Sequence, residues 1–95
     1  MLLLHERVVL AEDVFAEIRI WQVPRVLPGS SHDLKYSLAL VAANECVLRY
    51  ENEAGKGDHR HTEVGDEAAY AFRDADTLIA DFWMDVNEWL ARNRS

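Results

Sequence analysis

The chain has 95 residues, 49% of them hydrophobic, with three tryptophans and a formal net charge of −7. That length fits one domain with a single core, and that apolar content excludes a disordered chain, because enough apolar surface is available to offset the entropy of ordering. The acidic balance excludes a non-specific nucleic-acid binder built on a basic stripe, and the lone cysteine, Cys46, excludes an internal disulfide and suits a reducing compartment.

The opening Met1-Leu2-Leu3-Leu4 gives way at once to His5, Glu6 and Arg7. That is too short for a signal-peptide core or a membrane span, so a cytoplasmic protein with no membrane association is expected. Apolar and polar residues alternate over 2–10 and again over 14–23, which predicts two strands joined by a turn at 11–13. In the second, Ala16, Ile18 and Ile20 share one face while Glu17, Arg19 and Trp21 share the other. Pro24 ends clean pairing because it lacks the N–H a ladder needs. The loop PRVLPGSSHD (24–33) is longer than a tight hairpin requires, and long loops are more often functional than short ones.

A third strand is expected over 34–43, with Leu34, Tyr36, Leu38, Leu40 and Ala42 on one face. Asn44-Glu45 reads as a short hairpin turn into a fourth strand, 46–52. There Cys46, Leu48 and Tyr50 fall on one face and Val47, Arg49 and Glu51 on the other, so Cys46 is expected to be a small core residue. A short edge strand is expected at about 69–72. The period then changes from two to 3.6: Leu78, Ile79, Phe82, Trp83, Val86, Trp89 and Leu90 form a broad stripe, predicting an amphipathic helix over about 75–92. Asp74 suits its N-cap, and Asp76, Arg92 and Arg94 complement its dipole.

These elements predict one α+β domain over 1–95, an antiparallel meander sheet of four to five strands with one C-terminal helix packed on one face. The other face carries Leu3 and Val9, or Trp21, Val23 and Val41, depending on register, mixed with Arg7, Arg19 and Arg49. A surface neither cleanly polar nor cleanly apolar points to a homodimer or a partner protein.

Charge is uneven along the chain. Between Thr62 and Leu90 stand eight acids (Glu63, Asp66, Glu67, Asp74, Asp76, Asp81, Asp85, Glu88) against Arg73 alone, whereas residues 1–61 are nearly balanced. The segment GKGDHRHT (55–62) is therefore a local concentration of basic and titratable groups. In an extended stretch His59 and His61 project to one side, about 6.6 Å apart, and Lys56, Asp58 and Arg60 to the other. Two imidazoles so placed suit proton transfer at a phosphodiester, one taking a proton from the attacking hydroxyl and the other giving one to the leaving oxygen. Lys56 or Arg60 can stabilise phosphate charge if the glycine-rich backbone curls to bring them over. The same His-x-His offers two ligands to a divalent metal, with Asp58, Glu63, His5 or His32 as further ligands. A solvated loop paired with Glu51, Glu53 or Glu63 is the third reading, and spacing alone leaves all three open.

The stretch YENEAGKGDHRH (50–61) resembles the signature of the TumE-type toxin family of toxin–antitoxin modules. HE at 5–6, IWQVP at 20–24, PGSSH at 28–32, KYSL at 35–38, Phe72, and LIADFWMDV at 78–86 fit the same pattern, while Asp33-Leu34 departs from it where a glycine-bearing turn is common. The resemblance implies a toxin encoded beside an antitoxin of the helix-turn-helix DNA-binding kind, with RNA as the suspected target. It carries over Lys56, Asp58, His59, Arg60 and His61, with Tyr50, Asn52 and Glu53 beside them. The expectation is a small metal-independent ribonuclease needing no cofactor. His59 and His61 form its acid/base pair, Asp58 orients a histidine or holds Arg60, and Lys56, Arg60, Tyr50, Asn52 and Tyr36 contact substrate. The alternative is a non-enzymatic dimer- or antitoxin-binding module whose KGDHRH segment is structural or holds a metal through His59, His61 and Asp58.

Overall fold

The computed structural model describes residues 1–27, 29–52, 57–63 and 65–93. Six strands precede one helix: β1 (Leu2–Ala11), β2 (Val14–Gln22), β3 (Leu34–Ala42), β4 (Glu45–Glu51), β5 (His59–Thr62), β6 (Glu67–Ala69) and α1 (Ala75–Asn93). Each strand pairs antiparallel with the next, in the sheet order β1-β2-β3-β4-β5-β6. The α+β meander with one covering helix is the expected architecture, but the strands number six, not four to five. The additional strand is β5. Its sequence His-Arg-His-Thr has no apolar alternation, so nothing in its hydropathy marks a strand. β6 also lies earlier than the short edge strand expected at 69–72.

The face of β2 and β3 read from alternation is the buried one. Ala16, Ile18, Ile20, Tyr36, Leu38, Leu40 and Ala42 join Leu48 and Tyr50 of β4 in one core. Leu78, Phe82 and Val86, one turn apart along α1, are fully buried against it. Asp74 caps α1 by accepting from the Thr77 N–H at 2.7 Å, and that bond lowers its carboxyl pKa. Among the described residues no helix is long and apolar enough to cross a membrane.

Two local details depart from simple alternation. The hairpin between β3 and β4 turns at Ala43 and Asn44, both at positive φ (50° and 66°), as a two-residue loop matched to strand twist requires. The turn is thus one residue earlier than Asn44-Glu45. The register then slips between Leu40 and Val41, so Leu40 faces Leu48 while Val41 faces Cys46. This bulge buries Val47 and leaves Cys46 exposed, correcting its assignment to the core.

The acids of α1 and its approach make contacts across the fold. Asp85 accepts from the Tyr50 hydroxyl at 2.5 Å and from Arg60 Nε at 2.7 Å, and Asp81 accepts from the Tyr70 hydroxyl at 2.6 Å. Glu63 accepts from Trp89 Nε1 at 3.1 Å. Burial first, and the carboxylate partner second, push the pKa values of Tyr50 and Tyr70 above the ordinary tyrosine value.

Candidate functional site

The pleat of β5 divides the motif between the two faces of the sheet. Arg60 points to the helix, where Asp85 holds it. His59 and His61 point to the uncovered face, opposite Glu51 and Arg49 of β4. Asp58, just ahead of the strand, turns toward the long loop between β2 and β3.

That loop and the motif meet through a glycine. Gly57 adopts φ +83°, and a Cβ there would lie 2.7 Å from the carbonyl oxygen of Gly29. Only a residue without a side chain allows both the conformation and the approach. Beside this contact the Asp58 carboxylate accepts three hydrogen bonds. Oδ1 takes the Tyr36 hydroxyl and His32 Nε2, each at 2.7 Å, and Oδ2 takes Ser30 Oγ at 3.1 Å. The backbone N–H of Leu34 donates to His32 Nδ1 at 3.2 Å, which places the ring hydrogen on Nε2, facing Asp58. His32 is also stacked on Phe72, with centroids 3.7 Å apart. Asn52, fully buried, completes the anchor: Nδ2 donates to Leu34 O at 2.7 Å and to Ser30 Oγ at 3.2 Å, and Oδ1 accepts from the Tyr36 N–H at 3.0 Å. Burial, followed by the bond to Asp58, pushes the Tyr36 hydroxyl pKa far upward.

On the uncovered face a different group collects. His59 is 4% exposed, and its Nδ1 donates to the carbonyl oxygen of Gly57 at 2.9 Å. Its Nε2 lies 3.4 Å from Glu51 Oε1 and 3.9 Å from Glu67 Oε1. The first distance satisfies an ion pair but makes no hydrogen bond, so Nε2 is a buried polar atom without a hydrogen-bond partner. The His61 ring stands edge-on to His59 at 4.6 Å. His61 lines an open cavity of about 260 Å³ together with Cys46, Arg49 and Glu51. The side chains of Glu51, His59 and His61 bring three potential ligand atoms within 4.8 Å of one another. Arg49 Nη1 donates to Glu51 Oε2 at 3.3 Å, fixing the carboxylate's other oxygen.

The residues singled out in sequence thus fall into three groups. His59 and His61 stand together on the uncovered face. Asp58, Tyr36 and Asn52 form the loop anchor, and Tyr50 and Arg60 dock the helix. Asp58 holds His32, Tyr36 and Ser30, not Arg60 and neither motif histidine. Lys56 and Glu53 lie outside the described residues. Glu51 was legible as sharing a strand face with Arg49, but its pairing with His59 depends on the β4–β5 register. Ser30 carried no signal of its own beyond its place in the long loop.

A six-stranded antiparallel meander under one helix, with a His-x-His strand presenting two imidazoles beside a carboxylate on the uncovered face, defines a small α+β protein with a polar cluster on its open sheet face. The chain belongs to the TumE toxin family: the family model described as Toxin TumE matches residues 2–90, from the first strand into the last turns of α1. It is thereby a toxin of a toxin–antitoxin pair, with an antitoxin as its partner. No curated protein and no solved structure matches it closely enough to be called similar.

Proposed function

We propose that this toxin cleaves RNA without a metal ion, with proton transfer at His59, His61 and Glu51. The observation that carries the reading is the arrangement of the two rings. The Gly57 carbonyl fixes the His59 tautomer so that Nε2 faces Glu51, and His61 stands beside it at an open cavity. His61 and Glu51 meet the substrate, and His59 acts through Glu51. One partner takes the proton of the attacking 2′-hydroxyl and the other returns a proton to the leaving 5′-oxygen, so that a 2′,3′-cyclic phosphate forms with no net change in protons. Arg49, at the same cavity, is the phosphate contact in place of Arg60, which Asp85 occupies. The antitoxin of this reading is a helix-turn-helix DNA-binding protein, and the toxin works in the cytoplasm, where its RNA is. A homodimer is supported by β1, a ten-residue edge strand on which Leu2, Leu3 and Val9 are each about half exposed or more.

The test is induced expression followed by cleavage of a labelled RNA by purified protein. Replacing His61 by alanine should end growth arrest and slow cleavage by about 10²–10⁴-fold while the far-UV spectrum is unchanged. A folded His59→Ala/His61→Ala double variant that remains fully toxic overturns the assignment.

A further inference from the structure

The unpartnered nitrogen of His59 implies more than proton transfer. Because Nδ1–H is donated to Gly57 O, the neutral ring carries its lone pair on Nε2, which faces a carboxylate oxygen 3.4 Å away. A buried ring nitrogen without a hydrogen-bond partner thus faces a carboxylate, an arrangement that a cation between the two would satisfy. For metal–ligand bonds of about 2.0–2.1 Å in tetrahedral geometry, neighbouring ligand atoms are about 3.3 Å apart. The His59–Glu51 pair already has that separation. His61, whose ligand atom is within 4.8 Å of both, completes a three-ligand set with a side-chain shift of at most about 1.5 Å, leaving the fourth position toward the open cavity.

The supporting contacts match. A metal-bound imidazole ordinarily donates its other N–H to a carbonyl or carboxylate, and Gly57 O accepts that bond here. Arg49 holds the far oxygen of Glu51, so the near one is aimed at His59. Two imidazoles with one carboxylate select zinc-type ions over magnesium or calcium. We propose that Glu51, His59 and His61 bind one divalent transition-metal ion of the zinc type on the uncovered sheet face. Coordination occupies the lone pairs of both histidines, so the metal-free cleavage proposed above belongs to the ion-free protein and a bound ion would block it. Binding itself holds whatever the toxin's substrate.

The test uses the full chain, stripped of metal with a chelator. Titration with Zn²⁺ is followed by calorimetry, and titration with Co²⁺ by the visible absorption of a four-coordinate ion. The expected result is one ion per chain. Affinity should fall by more than about 100-fold in His61→Ala and Glu51→Gln, since losing a ligand exceeds the 10–100-fold cost of losing a supporting contact. It should be unchanged in His5→Ala, which removes a histidine paired with Glu17 on the same face. Absence of saturable binding, or binding equal in all variants, overturns the site. The cleavage assay separates the readings: loss of activity on adding Zn²⁺ fits both, whereas a stripped protein that is inactive until Zn²⁺ is added keeps the site and removes the metal-free mechanism.

Discussion

Asp58 belongs to the most motif-like stretch of the chain, yet its geometry is that of an anchor, and two substitutions distinguish the roles. Its side chain is 9% exposed and accepts from Tyr36, His32 and Ser30. Replacement by alanine removes three hydrogen bonds to an ionised acceptor, each contributing about 1.5–3 kcal/mol, and leaves the buried Tyr36 hydroxyl without an acceptor. Because the three share one carboxylate, the losses overlap, and a total of about 3–5 kcal/mol is expected, as for breaking a buried pair. At about 4–8 °C per kcal/mol for a domain of this size, the melting temperature should fall by at least about 12 °C. Asparagine keeps the oxygen that receives Tyr36 and His32, and its amide can donate to Ser30 Oγ once that hydroxyl rotates. Asp58→Asn should therefore lose only about 1 kcal/mol and retain toxicity. Thermal and urea unfolding of both variants, alongside growth arrest, measure this. An Asp58→Asn protein of wild-type stability with no activity would refute the anchor and return Asp58 to the chemistry.

Two further outcomes follow from the fold. Gly57→Ala should destabilise more than Gly65→Ala: both residues have φ above +80°, costing about 1–2 kcal/mol for a side chain, but only at Gly57 would the Cβ meet a backbone atom, Gly29 O at 2.7 Å. Equal urea midpoints for the two would contradict the close approach. The three tyrosines of the chain all have pKa values raised above 10, chiefly by burial. The folded state therefore holds protons that the unfolded state releases, and stability is fully present below about pH 10 and falls above it, by at most about 4 kcal/mol per pH unit for three groups. Tyrosinate absorbance and loss of far-UV signal should rise together. Tyrosinate forming near pH 10 in a still-folded protein would contradict the burial.

What was legible in the sequence follows from where hydropathy contrast exists. The inward faces of β2 and β3 and the stripe of α1 are one-sided, so period alone identifies Ile18, Leu38 and Phe82 as core. β5 has no such contrast, since His59, Arg60, His61 and Thr62 are polar on both faces. Its alternation alone still sets the histidines on the face opposite Arg60. Cys46 was misassigned because a bulge inserts a residue that period two cannot register. The Gly29–Gly57 approach and the Asp58–His32 bond join positions nearly thirty residues apart, and nothing local encodes them. Asp85 is, in sequence, one of eight acids between Thr62 and Leu90, and nothing local distinguishes it because its partners, Tyr50 and Arg60, come from other strands.

The two faces of the sheet are nevertheless mechanically one. The oxygen that fixes the His59 ring belongs to Gly57, whose conformation and contact with Gly29 admit no side chain, and the next residue is held by the loop through His32 and Ser30. The aim of His59 toward Glu51 is therefore set from behind, by groups that never reach the uncovered face. Arg60 works from the same side, tying β5 to α1 through Asp85, so that His59 and His61 are carried by a strand fixed at its start and middle. The run Gly-Asp-His-Arg-His alternates anchors with the histidines of the uncovered face because a strand sends successive side chains to opposite faces. Its density of charged and titratable residues, in an otherwise acidic chain, comes from serving two faces at once.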